Sequence, residues 1–356
     1  MTAPEADHAV VVIIGAGLVG ASIGRALVTA GRTVHVEDRV PSHAMVAASR
    51  GSGSVEPAAA DEVGLVVVAV PPDATPAAVA DALERFPHAV VTDVASVKTR
   101  VLSELIAAGV DVSRYCGSHP MAGSQHTGPL TADGDLFVDR TWVVTPHRRM
   151  EPRAQTVVEQ LVADCRARAV EMLCENHDEA VAQVSHLPQL MSSLTAGHLR
   201  SVPATHLALA GQGIRDVTRI AGSDPVLWRQ IIAANREAVQ HELRAVRDDL
   251  DALIEHFDDP QAVEDFIARG RIGALSLPGK HGAPSRATVP VVIVIPDEPG
   301  ALARLFSDIE AAGVNVEDLQ IEHDPERQIG YLAVQVVPEL AEQLTAQMVA
   351  AGRQLR

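Results

Sequence analysis

The sequence predicts an α/β chain that opens with a doubly wound parallel sheet and continues into an all-helical region and a small α+β unit. Three observations carry that reading. Apolar runs alternate with helical stretches over residues 1–149, and residues 154–266 are almost all helical. A βαββα order then follows a segment rich in glycine and proline.

Val10–Ile14 is a continuous apolar run, as a strand covered on both faces requires. A glycine turn leads into a helix over residues 21–30, and residues 33–37 read as the second strand. Further strands are expected at 65–70, 89–92 and Thr141–Thr145, with helices between them and the parallel sheet ending near Pro146. Beyond Arg149 one short extended run, 170–174, interrupts the helices. Residues 225–257 place Trp228, Ile231, Ile232, Val239, Leu243, Val246, Leu250 and Leu253 at the spacing of one long helix. Asp224-Pro225 is its start signal, a cap residue followed by proline at the first helical position. A stripe of that length serves either an intrachain core or a second copy, and an all-helical middle region favours a homodimer. The expected domains are 1–149, 150–270 and 288–356, with 271–287 as a linker. In the last unit, strands are expected at 288–295, 314–322 and 329–337, and helices at 301–312 and 339–351.

Composition narrows the function. At 356 residues two or three domains are expected, and 47% hydrophobic residues suffice for their cores. Aromatic residues are only 3%, too few for a base-stacking platform. A formal charge of -17 argues against nucleic acid or an anionic membrane as partner, so a pocket for an anionic substrate must supply its own positive charge. Cys116, Cys165 and Cys174 show no C-x-x-C spacing, and the histidines no ligand spacing, so neither a disulfide framework nor a metal site is expected. The polar residues 1–8 lack a basic segment, and the apolar run after them is too short to span a bilayer. A cytoplasmic protein is therefore expected.

Gly15-Ala16-Gly17-Leu18-Val19-Gly20 follows a strand and opens a helix, the setting of the dinucleotide fingerprint and of a Rossmann-type domain. Gly15 permits the tight turn, Gly17 the approach of the pyrophosphate, and Gly20 close packing of the helix on the sheet. Asp38, at the end of the second strand, would accept from the ribose hydroxyls and repel a 2′-phosphate, favouring NAD over NADP. Arg39 beside it argues the other way, and Glu37 is the alternative acid if the register differs by one.

Asp93-Val94-Ala95-Ser96-Val97-Lys98 lies just past a strand, at the sheet edge where ligands of such folds bind. Ser96 is either the N-cap of a helix starting at Val97 or a polar neighbour of the nicotinamide. Lys98 reads as a solvated helix residue. Gly117-Ser118-His119-Pro120-Met121-Ala122-Gly123 boxes one histidine between glycines, with Pro120 biasing it to an extended backbone. Alone, such a histidine is more often structural. Downstream of a cofactor loop it is a candidate general base. Ser185-His186-Leu187-Pro188-Gln189 supplies a second histidine. Arg215 and Arg219 stand four apart, able to share a helical face and to grip a carboxylate, although a solvated ion pair is the commoner fate of either one.

Taken together and in order, the glycine loop, D-x-x-S-V-K, G-S-H-P-M-A-G, S-H-L-P and T-R-I-A-G-S-D-P resemble the TyrA-type prephenate and arogenate dehydrogenases over residues 10 to 270. The resemblance implies that His119 is the catalytic base, Ser96 its polar partner, Arg219 the grip on the substrate side chain and His186 a pocket-lining residue. It places His177, Asp178 and Arg215 around the pocket mouth, and Ser124 and Gln125 beside the substrate. Gln125 stands where some bacterial members carry Glu, and Gln189 where some prephenate-preferring members carry His, which leaves prephenate against arogenate open. The implied reaction is an NAD-dependent oxidative decarboxylation that makes 4-hydroxyphenylpyruvate, with arogenate as the alternative substrate. A β-hydroxyacid or imine reductase and a non-catalytic NAD or amino-acid sensor are the other readings. The first would place a lysine or aspartate in the helical region and leaves the C-terminal unit unexplained. That unit, with Asp297-Glu298-Pro299-Gly300 before its first helix, resembles an ACT regulatory domain. Asp297 and Gly300 would then face an effector, L-tyrosine or a related aromatic amino acid. Its last strand would have to come from residues 352–356, and a degenerate unit kept for dimer stability is the alternative.

Overall fold

The computed structural model describes residues 10–122, 128–277, 288–324 and 329–356. The chain divides into two compact units, Met1–Asp249 and Leu250–Arg356.

The first unit opens with β1 (Val10–Ile14), α1 (Leu18–Thr29), β2 (Val34–Glu37), α2 (Pro41–Ser49), β3 (Val63–Val68), α3 (Thr75–Arg85), β4 (Val90–Asp93) and α4 (Thr99–Ala107). The four strands form a parallel sheet in the order β2-β1-β3-β4, with Ile13 beside Val36 and Val67. Alternation along β1 sends Val11 and Ile13 to one core with α1 and α2, and Val12 to another with α3 and α4. Helices thus cover both faces, as the unbroken apolar strands require.

The sheet then departs from the expected parallel form. Val91 bridges to Tyr115, and the chain runs into β5 (Gly117–Pro120), which pairs antiparallel with β6 (Thr141–Thr145). After α5 (Pro152–Asp164), β7 (Arg168–Glu171) pairs parallel with β6, so the α/β layer continues past residue 149. Buried Trp142 and Val144 on β6 pack with Val158 and Leu161 of α5 and hold this edge to the main core.

The helices that follow are α6 (Cys174–Val181), a π-helical turn at Ala182–His186, α7 (Leu187–His198), α8 (Ala204–Leu207), α9 (Gln212–Thr218), a 3-10 turn at Arg219–Gly222, α10 (Pro225–Ala234) and α11 (Arg236–Glu255). Asp224 caps α10, accepting from Val226 N at 2.8 Å, with Pro225 behind it. The single long helix expected over 225–257 is broken at Asn235. Its backbone leaves the helical region (φ -113°, ψ 36°), and its buried side-chain amide donates to Asp178 O at 2.7 Å. A side chain that finds a strong acceptor outside the helix outweighs the apolar spacing.

In the second unit, α12 (Pro260–Leu275) leaves Ile267, Ile272 and Leu275 exposed, as are Ile254 and Phe257 before it. Then come β8 (Val289–Pro296), α13 (Ala301–Ala311), β9 (Asp318–Asp324), β10 (Ile329–Val336) and α14 (Pro338–Ala350). The sheet is antiparallel in the order β8-β10-β9, and Ile293, Leu332 and Val334 pack on Leu305, Ile309, Leu344 and Met348. The tail supplies a short fourth edge. Val294 N donates to Gln354 O at 2.8 Å and Arg356 N to Val292 O at 3.0 Å, on the far side of β8 from β10.

The glycine loop gives a test of this packing. A Cβ on Gly20 would lie 1.9 Å from Gly15 O, whereas one on Gly17 would meet nothing within 4 Å. Gly20→Ala should therefore cost about 1–3 kcal/mol of stability by overpacking, and Gly17→Ala less than about 1 kcal/mol. Gly17→Ala should nonetheless weaken nucleotide binding. Urea unfolding and calorimetric titration with the dinucleotide measure the two effects, and equal stability losses would contradict the packing.

Candidate active site

At the nucleotide end, Gly15 turns with φ +105° and donates its N–H to Glu37 O at 2.8 Å. Its would-be Cβ falls 2.3 Å from Ala69 O, so no other residue fits. Gly17 starts α1 without a side-chain cap, and the space beside it is open. The first turn of α1 thus suits a pyrophosphate, with backbone N–H groups and the positive helix end directed towards it. Leu18 and Val19 are half-buried in that turn.

Asp38 is the acid that meets the loop. Its Oδ2 accepts from Ala16 N at 2.7 Å and its Oδ1 from Val40 N at 2.7 Å. The neighbouring Glu37 is engaged elsewhere, since Arg85 Nη2 donates to both of its oxygens at 2.8 and 2.9 Å. Arg39 is exposed. The register thus puts Asp38, not Glu37, beside the glycine turn.

Where β4 ends, a polar cluster lies buried. Lys98, expected in solvent, is 1% exposed. Its ammonium pairs with Asp93 Oδ1 and donates to Ser118 O at 2.7 Å. Asp93 accepts further from Ala95 N at 2.8 Å and from the Tyr115 hydroxyl at 2.6 Å. Burial, then the Asp93 carboxylate, pushes the Tyr115 hydroxyl well above its ordinary value, so it remains a donor. Ser118 Oγ donates to Asp93 O at 3.0 Å. The strand carrying His119 is therefore fastened to β4 at backbone and side chain.

Helix α4 begins at Thr99, so Ser96 does not cap it but sits half-buried in the preceding bend. The cap comes from a distant residue. Asp178 on α6 accepts from Lys98 N and Thr99 N, each at 2.9 Å. Its Oδ1 also lies 2.8 Å from His177 Nδ1, and His177 Nε2 lies 2.9 Å from His119 Nδ1. Burial alone raises the Asp178 carboxyl, but hydrogen bonds from His177 and the two N–H groups outweigh it and hold the group below its ordinary value. His119 is pushed well below 6.5, first by burial and then by His177, Lys98 and His186. The residue is half-buried, and its lowered pKa leaves it neutral at pH 7.

His186 is buried at the end of the π-helical turn, an irregularity frequent at functional sites. Burial brings its pKa down to about 4, and Asn235 Nδ2 lies 3.2 Å from its Nδ1. Gln189, also buried, donates to Ile220 O at 3.0 Å and ties α7 to the 3-10 turn that Arg219 opens. Arg215 lies on α9 and Arg219 just beyond its end, so the two do not share one regular helix, and both are exposed. Ser124 and Gln125 lie outside the described residues. Among the described residues no group of three or more His, Cys, Asp or Glu is placed to hold a metal ion, and no helix is long and apolar enough to cross a membrane.

His177 and Asp178, expected around the pocket mouth, are buried behind His119. Lys98 is buried because Asp93 at the end of β4 and Ser118 on β5 close around its ammonium. The D-x-x-x-x-K spacing was the available signal.

A parallel nucleotide-binding sheet whose carboxyl edge leads to a supported, neutral histidine defines an oxidoreductase-type α/β protein. Comparison makes the class specific. The family model described as prephenate dehydrogenase, nucleotide-binding domain matches residues 23–171, and the one described as prephenate dehydrogenase, dimerization domain matches residues 173–269. The chain is 34% identical over 346 residues to the probable prephenate dehydrogenase NovF of Streptomyces niveus, covering 94% of this chain and 95% of that one. It is 27% identical over 275 residues to the prephenate dehydrogenase of Bacillus subtilis, covering 73% and 72%. The fold matches that of prephenate dehydrogenase from Aquifex aeolicus, solved with hydroxyphenyl propionate and NAD+, with a TM-score of 0.68 at 24% identity, over 76% of this chain and 98% of the other. The chain belongs to the prephenate dehydrogenase family.

The buried pair admits a direct test. Lys98→Ala leaves Asp93 charged in a site without water, which should cost about 3–5 kcal/mol of stability in urea unfolding. A loss under about 1 kcal/mol would mean that Lys98 is not buried.

Proposed function

We propose that this chain is an NAD-dependent prephenate dehydrogenase that converts prephenate to 4-hydroxyphenylpyruvate. The observation that carries the reading is His119, neutral and reachable, backed by His177 and placed past the carboxyl edge of a nucleotide-binding sheet. Gly15 to Gly20 would hold the pyrophosphate and Asp38 the ribose hydroxyls. When bound, NAD supplies the hydride acceptor. His119 Nε2 takes the C4 hydroxyl proton as C4 gives up its hydride, and the ring carboxylate departs as carbon dioxide. The bonding pair left behind makes the ring aromatic, and His119 returns the proton to the phenolate oxygen. Ser96 would share the hydroxyl and Arg219 would grip the side-chain carboxylate, with His186 lining the pocket, Arg215 at its mouth, and Ser124 and Gln125 beside the substrate. Arogenate is the alternative substrate. Gln189, neutral and tied to the 3-10 turn, leaves no ionic selection between a keto and an amino group at that point.

The chain would act in the cytoplasm as a homodimer, its second copy covering the apolar side chains exposed from Ile254 to Leu275. The C-terminal unit is proposed as ACT-like. With its tail the sheet has the order of a ferredoxin-like fold, and Gly300 opens α13 with φ +81°. Asp297 and Gly300 would meet an aromatic amino acid there, L-tyrosine first.

Assays with prephenate and arogenate, each with NAD and NADP at one ionic strength, decide substrate and cofactor. Prephenate with NAD should give the highest kcat/KM. His119→Asn should lose about a hundredfold or more in kcat with NAD binding intact. Because the folded-state pKa of His119 is depressed, the wild-type rate should fall only well below pH 6.5, as the base protonates. Near-normal turnover in the variant would remove His119 from the reaction.

Ending the chain at Ala287 should leave turnover largely intact and abolish any response to tyrosine. Unchanged inhibition in the shortened enzyme would place the inhibitor in the active site instead.

A further inference from the structure

A carboxylate only accepts hydrogen bonds, which fixes the protons along a three-residue line behind the base. Asp178 is held ionised by Lys98 N and Thr99 N at the start of α4. Its contact with His177 Nδ1 at 2.8 Å therefore requires a proton on that nitrogen. In a neutral His177 the other nitrogen, Nε2, is then an acceptor. The 2.9 Å contact to His119 Nδ1 requires that His119 be the donor. His119 is left with Nδ1–H and a bare Nε2, the form that can take a proton from a substrate.

We infer that His177 and Asp178 are positioning residues that hold His119 in its Nδ1–H tautomer and aim its Nε2 at the substrate hydroxyl. The inference rests on the reading of His119 as the base. The ring planes of His119 and His177 stand at 75°, with centroids 5.1 Å apart, so the contact is edge-on through nitrogen rather than stacked. His177 is fully buried and adjacent to Asp178 on α6, so helix and cap fix its aim together. The groups that act on His119 from the elements around it are His177 on α6, Lys98 before α4 and His186 on the π-helical turn, and all three oppose a positive charge. The Asp178 carboxylate, one ring removed, is the counterweight when His119 becomes imidazolium. The same logic orients the histidine of a Ser-His-Asp triad through a buried carboxylate, here with a second imidazole interposed.

Two measurements on the full-length protein test this. Two-bond proton–nitrogen NMR spectra of the 15N-labelled chain, assigned with His119→Asn and His177→Gln, should show both His119 and His177 as Nδ1–H tautomers. A proton on His119 Nε2 in the neutral ring overturns the inference, whatever the substrate. In Asp178→Asn the amide can donate to His177, reversing both rings. Its kcat should fall by about a hundredfold or more, with KM and NAD affinity within about twofold. Its pH–rate profile should lose the plateau of the wild type. His177→Gln, whose amide oxygen can accept from His119, should retain more kcat than His177→Leu at equal KM. Unchanged kcat in Asp178→Asn, or equal kcat in the two His177 variants, contradicts the role. Should Asp178→Asn not fold, the wild-type spectra and the His177 pair still decide. If the tautomers are as expected but prephenate is not oxidised, the positioning stands and the proposed reaction fails.

Discussion

Beneath the strand that carries His119, a lysine and an aspartate pair without access to water. Neither charge is tolerable there alone, and each must find further partners. Lys98 does so by reaching the carbonyl of Ser118, and Asp93 by accepting from Ala95 N and the Tyr115 hydroxyl. β4, the bend before α4, and β5 are thereby drawn to one point. A buried pair of this kind adds little net stability. It contributes a register, because a shift of β5 would strand a charge.

The same bend carries the second link. The N–H groups of Lys98 and Thr99, which the start of α4 leaves without helical partners, meet Asp178 on α6. One carboxylate on α6 thus caps a helix of the nucleotide-binding layer and accepts a hydrogen bond from His177. Asn235, at the break between α10 and α11, adds a third tie by donating to Asp178 O. His119 is held from both sides of the junction between the α/β layer and the helices that follow it.

The sequence made the framework legible wherever one interaction was local or periodic. β1, its glycine turn and α1 follow from an apolar run and three glycines, and β6 falls on Thr141–Thr145 as read. The start of α10 follows from Asp224-Pro225. The βαββα order at the C-terminus was also visible, including a tail that must complete the sheet. What was not legible depended on contacts that only the folded chain makes. Lys98 looks like any helix-surface lysine until Asp93 and Ser118 close around it. β5 has too few apolar residues to read as a strand and exists because β4 and β6 offer it partners. Asn235 sits within an apolar stripe that argues for an unbroken helix, and a carbonyl 57 residues away decides otherwise. His119 stands out in the sequence through its glycine box, whereas the burial of His177 beside it does not, since sequence spacing gives no depth.

A preformed line, Asp178 to His177 to His119, is expected to present one bare nitrogen to the substrate hydroxyl. A high-resolution crystal structure of the chain with NAD and a 4-hydroxyphenyl product analogue tests it most directly. The account predicts the phenolic oxygen within hydrogen-bond distance of His119 Nε2, the pyrophosphate over Gly17, and the contacts from His119 to His177 and from His177 to Asp178 preserved. A ligand hydroxyl bound away from His119, or a His119 ring turned from His177 to meet it, would contradict it.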